Sequence, residues 1–391
     1  MSLPLGSVAL FLLTTIFYLN FFSRIVFAPL LPVLEQELTL SHSQAGLFFV
    51  ILSSGYFVSL SLSGFVAVRL GHKKTIILSA SLAGLSLLAM GMARSLPLLR
   101  VFFFCLGLGA GIYLPSAVAT ISVLFRPHQL GRAFAIHELA PNLAFLTAPF
   151  LVALALVALS WQQFIIFLAS ALFAAALLYG CLGAEPATDI LAPNLTSYRT
   201  ILSRPSFWFM ILLFSMGITG TLGIYNILPV FLVNTHHYPV RDANMLIGVS
   251  RSISLLTACL GGWLSDRIGR KQTMRIILLF TGLVTVLLGW DSSDRITWWV
   301  WLQPALAVSF FPAAFAHLAT IVEGSLRNLV IALTVPLAFV VGGGIVPALI
   351  AFLADRGLFS QGIILAGIFI GSGGILLGRS VNNTPARIAA D

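Results

Sequence analysis

The chain has 391 residues, 59% of them hydrophobic and only 8% charged, with a mean hydropathy of +1.03. A soluble domain carries about 25% charged residues, so this chain has no surface to offer water, and its length allows about a dozen crossings of about 20 residues each but no large soluble domain. The net charge of +9 does not indicate nucleic acid, because the basic residues are dispersed over short segments and form no single basic face.

Apolar runs broken by charges, prolines and glycines predict twelve transmembrane helices, near 8–31, 43–67, 75–93, 97–124, 133–158, 162–183, 207–233, 242–264, 274–290, 297–321, 329–353 and 360–378. The first run lacks a basic n-region and a small-residue cleavage site, so it is expected to stay as a span and not to be removed as a signal peptide. The most polar stretch, 184–205, holds Glu185, Asp189, Arg199, Arg204 and three prolines. The expected architecture is an all-α integral membrane protein of two six-helix bundles, 1–183 and 206–391, joined by a cytoplasmic linker at 184–205.

With the N-terminus inside, 14 of the 21 Lys and Arg residues fall in cytoplasmic segments. Arg94, Arg241, Arg295 and Arg356 fall outside, and Arg24, Arg100 and Arg251 fall within spans. This bias predicts that both termini are cytoplasmic. The halves also repeat. Pro32 and Arg69 recur as Pro229 and Arg267 at an offset of 197 to 198 residues, and a parallel repeat of six spans is the layout of a two-bundle transporter. Cys105, Cys181 and Cys259 lie inside apolar runs without metal-ligand spacing and are expected to pack in the core.

The junction of spans 8 and 9 reads Gly262-Trp263-Leu264-Ser265-Asp266-Arg267-Ile268-Gly269-Arg270-Lys271. It resembles the G-x-x-x-D-R-x-G-R-[RK] signature of the major facilitator superfamily. The same place in the first half reads Gly64-Phe65-Val66-Ala67-Val68-Arg69-Leu70-Gly71-His72-Lys73, with Val68 in place of the acid. The glycines permit a tight turn, the Asp is expected to accept bonds from a neighbouring helix end, and the cations stay in the cytoplasm. The resemblance implies that Gly262, Asp266, Arg267, Gly269 and Arg270, with Gly64, Arg69 and Gly71, form a gating element. Ser160-Trp161-Gln162-Gln163-Phe164, Ser203-Arg204-Pro205-Ser206-Phe207-Trp208 and the glycine-rich Gly107-Leu108-Gly109-Ala110-Gly111 also resemble family elements. No glycine occurs from Ala133 to Gln163, so the glycine-rich antiporter signature of span 5 is missing. Arg24 in span 1 resembles the arginine of the anion:cation symporter branch, and Arg251 in span 8 resembles that of the monocarboxylate transporters.

Of the twelve acidic residues, only Glu138 falls well inside a predicted span. An ionisable group in a span costs several kcal/mol unless it faces a partner or a cavity, about 2.5 kcal/mol or more on insertion scales. The family resemblance implies that spans 1, 4, 7 and 10 line the cavity, with faces of spans 2, 5, 8 and 11. Arg24 and Arg251 then present a guanidinium to a carboxylate, sulfonate or phosphate, or serve as helix glue to Glu138 or to carbonyls. Asn20, Tyr113, Tyr225, Asn226 and Gln303 offer neutral polar contacts to a ligand, or interhelical hydrogen bonds. Glu138, with His137 beside it, reads as the proton-coupling group or as a permanent gate salt bridge, and His137 as packing or as a further proton-coupling group.

The function expected is secondary active transport of a small organic anion by alternating access, as proton symport. An anion exchanger or exporter of the same fold is the alternative. No catalytic constellation or nucleotide loop appears, so neither an enzyme nor a cofactor nor a bound metal is expected. The partners expected are the anion, protons and the lipid bilayer, not nucleic acid, and the protein is expected to be a monomer in a prokaryotic inner membrane.

Overall fold

The computed structural model describes residues 5–185, 195–293, 295–320 and 326–382. Among them, twelve helices are long and apolar enough to cross a membrane. Spans 1 to 6 are Gly6–Glu37, His42–Leu70, His72–Met92, Leu96–Leu124, Pro127–Ala155 and Trp161–Leu182. Spans 7 to 12 are Pro205–Asn234, Val240–Ile268, Arg270–Trp290, Ile296–Leu318, Val330–Ala354 and Phe359–Gly378. Their outward faces carry exposed Leu, Val, Ile and Phe side chains, and Trp290 and Trp298 stand exposed at the ends of spans 9 and 10. That is the surface a bilayer requires, with aromatic rings at the ends.

Several spans run longer than the apolar runs suggest. Span 1 continues to Glu37 because its terminal acids find partners: Glu35 pairs with His42 Nδ1 at 2.9 Å, and Glu37 accepts the Trp161 indole N–H at 2.8 Å. The cysteines depart from expectation. Cys181 and Cys259 are exposed and Cys105 is half-buried, because each lies on the outer face of its span and not in the core.

The chain divides by packing into two compact units, 1–199 with 228–248, and 200–227 with 249–391. In the first, spans 3 and 6 pack closely, as do spans 2 and 4. The joined ends of spans 7 and 8, 228–248, belong to this unit, where Asn244 donates to the Pro29 carbonyl at 3.1 Å. In the second unit spans 9 and 12 pack closely, as do spans 8 and 10. The pairs correspond across the repeat, and small residues make them: Gly282, Gly367 and Gly371 let spans 9 and 12 touch backbone to backbone.

The signature turns correspond as well. One glycine, Gly71 (φ 79°, ψ 162°), joins span 2 to span 3, and Gly269 (φ 85°, ψ 152°) joins span 8 to span 9. A positive φ is cheap only for glycine. The turn therefore keeps its shape in the first half although Val68 has replaced the acid.

Five spans break at one residue: Val26, Ile112, Glu138, Arg251 and Ser309. Four of these stand three residues before a proline, namely Pro29, Pro115, Pro141 and Pro312. Proline withholds an N–H from the carbonyl four residues back and its ring pushes that carbonyl away, so the intervening turn opens. Spans 7 and 11 instead widen into π-turns at Thr219–Gly223 and Val340–Ile345. Pro32, Pro149, Pro229, Pro304 and Pro336 are accommodated inside continuous helices.

The glycine seams give a direct test. A Cβ on Gly107 would stand 2.8 Å from the Tyr56 backbone nitrogen and closer still to the Leu52 carbonyl, whereas Gly131 has nothing within 4 Å. Gly107→Val is expected to destabilise by about 1–3 kcal/mol through overpacking, and Gly131→Ala to leave stability unchanged or slightly raised. Thermal unfolding in detergent reads both, and equal melting temperatures for the two variants would contradict the close approach of spans 2 and 4.

Candidate functional site

Three groups of polar side chains buried within the spans each lie at a break in helical geometry. In the second unit they surround the π-turn of span 7. A π-turn shifts its hydrogen bonds by one residue and leaves carbonyls to be satisfied from outside. Gln303 of span 10 donates to the Gly220 carbonyl at 2.7 Å and reaches the Thr285 hydroxyl at 3.3 Å. Arg251, at the break in span 8, donates through Nη2 to the Thr221 carbonyl at 3.1 Å. Its guanidinium lies over the Tyr225 ring at 4.9 Å and is only 3% exposed. Asn226 donates to the Gly343 carbonyl of the second π-turn at 2.9 Å. Pro347 explains that bond: it stands four residues after Gly343 and has no N–H to give.

Arg251, Tyr225, Asn226 and Gln303 thus all lie at or beside the two π-turns of the second unit. Asn226 and Gln303 are engaged with backbone carbonyls, which is the interhelical alternative weighed for them. Thr221 was missed, because its role is played by a carbonyl and leaves no mark in the side-chain pattern.

In the first unit Arg24 of span 1 is 5% exposed and lies two residues before the break at Val26. Its guanidinium sits over Phe21 at 4.7 Å and over Tyr56 of span 2 at 4.5 Å. Aromatic faces attract the cation, while the N–H groups project from the guanidinium edge. Phe21 and Tyr56 carried no sequence signal beyond being aromatic. Asn20, one turn before Arg24, contacts the Ser79 hydroxyl at 3.3 Å and the Ala110 carbonyl at 3.4 Å, so it ties span 1 to spans 3 and 4.

The third group lies where spans 1, 4 and 5 meet. Tyr113 follows the break at Ile112 and donates to the Leu13 carbonyl at 2.6 Å. His137 is fully buried, stacks on Phe17 with centroids 4.5 Å apart, and meets the Tyr113 hydroxyl at 3.1 Å. Glu138, the next residue, is the break of span 5, and its carboxylate lies 3.4 Å from His137 Nδ1. The Glu138 side chain is 57% exposed. An outer groove of about 610 Å³ between spans 1 and 5 is lined by Leu10, Phe11, Thr14, Arg132 and Ile136. Glu138 comes two residues after Ile136, so at about 100° per residue it projects from the opposite side of the helix. Among the described residues Glu138 meets no arginine, and no gate salt bridge is seen there.

In the signature turn, Arg270 donates to the Ala316 carbonyl near the end of span 10 at 3.1 Å, and Arg267 lies over the Trp263 ring at 5.0 Å. Asp266 is exposed and accepts no bond among the described residues. The contact to a neighbouring helix end, expected of the acid, is made there by Arg270. A cation suits that place because carbonyls at a helix C-terminus carry partial negative charge.

The model of the Major Facilitator Superfamily matches residues 10–309 of the chain. A probable sulfoacetate transporter of Cupriavidus necator is 24% identical over 293 residues, covering 68% of this chain and 67% of that protein. The hexuronate transporter of Bacillus subtilis is 24% identical over 404 aligned positions, covering 95% of this chain and 94% of that protein. Among solved structures, a bacterial homologue of the human lysosomal transporter Spinster, in an inward-facing, unoccupied conformation, superimposes with a TM-score of 0.81 at 17% identity. That superposition covers 99% of this chain and all of the other. With a family match over most of its length and twelve spans of the same fold, the chain belongs to the Major Facilitator Superfamily.

Proposed function

We propose that this transporter moves a small organic anion by alternating access, coupled to protons as a symporter, with Arg24 and Arg251 as the cations that meet the anion. The observation that carries the reading is a guanidinium buried within a span in each unit, laid against aromatic rings. A charge held at that depth is costly, and spans keep such groups where they serve a substrate path. The planar guanidinium offers paired N–H donors that match a carboxylate or sulfonate, and the aromatic neighbours hold its plane. Two relatives are named for anions, sulfoacetate and hexuronate, which supports the same substrate class. In this reading Glu138 carries the coupling proton, both termini are cytoplasmic and the membrane is a bacterial inner membrane.

Arg24→Ala and Arg251→Ala are each expected to lose anion uptake in proteoliposomes. The loss of one charge-assisted contact costs about 1.5–3 kcal/mol, which is about ten- to a hundredfold in affinity. Arg→Lys at either place should restore little, because a point charge cannot make paired bonds. Retained wild-type affinity in both alanine variants would remove the arginines from the site.

Glu138→Gln mimics a permanently protonated carboxyl. Uphill accumulation requires the proton to be released on one side and rebound on the other, whereas exchange of labelled for unlabelled substrate needs only the loaded carrier to turn over. The variant is therefore expected to lose proton-driven accumulation and keep counterflow. Full proton-driven accumulation in Glu138→Gln would show that the coupling group lies elsewhere.

A further inference from the structure

His137 is held so that each ring nitrogen has one neighbour and one role. The ring is fully buried and lies flat on Phe17, 10° from parallel. Nε2 meets the Tyr113 hydroxyl at 3.1 Å, and the Glu138 carboxylate lies 3.4 Å from Nδ1 in a geometry short of a hydrogen bond. The Tyr113 hydroxyl also lies 2.6 Å from the Leu13 carbonyl oxygen. A carbonyl only accepts, and a phenol has one hydrogen. That hydrogen goes to Leu13, so toward His137 the phenolic oxygen acts as an acceptor and Nε2 must carry the hydrogen.

The consequence falls on the other nitrogen. A neutral imidazole with hydrogen on Nε2 presents a bare lone pair at Nδ1. Nδ1 is buried, and among the described residues no donor reaches it. Its neighbour is a carboxylate oxygen. With Glu138 ionised and His137 neutral, a carboxylate oxygen and a bare ring nitrogen stand 3.4 Å apart with no hydrogen to share, and the buried nitrogen is left unsatisfied, a costly state. One added proton, with a small turn of the half-exposed Glu138 side chain, removes both faults. A protonated Glu138 donates its O–H to Nδ1, or an imidazolium donates Nδ1–H to the carboxylate. The titratable groups facing the pair are Tyr113 of span 4 and, beyond it, Tyr179 of span 6, while span 1 offers Phe17 and the Leu13 carbonyl.

We propose that His137 and Glu138 form a single proton-binding site that loads one proton between Nδ1 and the carboxylate, with Tyr113 as the positioning residue that fixes the His137 tautomer. The proposal rests on the proton-coupled reading above and deepens it. The proton reaches the pair through the half-exposed Glu138 and travels no farther, because the hydrogen on Tyr113 is held by Leu13 and that on Nε2 by Tyr113. The break at Glu138, three residues before Pro141, releases the turn that carries the carboxylate, so the pair can part when the proton leaves.

Two measurements test the pair. The first is nitrogen NMR of the full chain in lipid nanodiscs with labelled histidine, across a pH series, with the His137 signals assigned by their loss in His137→Gln. The expected result is a neutral ring with hydrogen on Nε2, an Nδ1 signal that moves through one step in the wild type, and loss of that step in Glu138→Gln. Tyr113→Phe should let the Nδ1–H tautomer appear. An Nδ1–H tautomer in the wild type, or a step unchanged in Glu138→Gln, overturns the proposal. The second is the pH profile of uptake in His137→Gln, whose amide still donates toward Tyr113 but does not titrate, after size exclusion shows the variant to be folded. It should lose pH dependence and uphill accumulation together, as Glu138→Gln does. If His137→Gln keeps the wild-type profile while Glu138→Gln loses it, Glu138 acts alone and the shared site is wrong, although proton coupling stands. If the wild type itself accumulates nothing under a proton gradient, the coupling reading fails, and the NMR result alone decides whether the pair shares a proton.

Discussion

The constraint on which the rest depends is the cost of keeping a guanidinium inside a membrane-spanning helix. A charge at the centre of a span costs at least about 2.5–3.5 kcal/mol on insertion scales, and a fold that retains two such charges must stabilise each of them. Arg251 is stabilised by the face of Tyr225 and by a carbonyl that regular helix geometry would have kept for itself. That carbonyl is available because span 7 widens into a π-turn at Thr219–Gly223. Arg24 is stabilised by the faces of Phe21 and Tyr56. The irregular backbone of span 7 follows from the same constraint: lipid tolerates no unsatisfied carbonyl, so helical geometry is relaxed only where buried polar side chains take up the released groups. Gln303 and Asn226 do this for the carbonyls of Gly220 and Gly343.

The spans accordingly divide by task. Spans 2, 3, 6, 9 and 12 are continuous and carry the glycine seams that fix the two units. The seven others each contain a break or a π-turn, and every candidate anion or proton contact lies at or near one. A break costs backbone hydrogen bonds, and it allows a span to bend there with little further loss. Transport requires rearrangement about a fixed ligand, so in the proposed reading breaks beside the candidate ligand contacts put compliance where the cycle uses it, while the unbroken helices stiffen each unit.

Much of the fold was legible because hydrophobic runs are long and charges rare. The twelve spans, the repeat and the signature turn all follow from residue types at fixed spacings. The turn even survives the loss of its acid at Val68, since its shape is set by Gly71. What could not be read was whatever depends on backbone geometry or on pairing between distant spans. The widening of span 11 at Val340–Ile345 is a shift in hydrogen-bond register that residue types do not announce. Asn226 and Gln303 read equally as ligand contacts or as interhelical hydrogen bonders, and only the structure shows the carbonyls they satisfy. Tyr56 meets Arg24 from another span and had no local signal at all. One clue was present and unused: Pro141 stands three residues after Glu138, the same spacing that links Pro29, Pro115 and Pro312 to the breaks at Val26, Ile112 and Ser309. The cysteines were misjudged because an apolar run has a lipid face as well as a packed one, and Cys181 and Cys259 lie on the former.

The central claim is that two buried guanidinium groups select an anion. Its most direct test is uptake by the purified wild-type protein in liposomes, offered labelled monocarboxylates, dicarboxylates, sulfonates and inorganic anions beside neutral sugars of similar size. The account predicts saturable uptake of at least one organic anion, competed by other carboxylates or sulfonates and not by neutral sugars. Saturable uptake of a neutral sugar, with no anion carried and no competition by any anion, would contradict it.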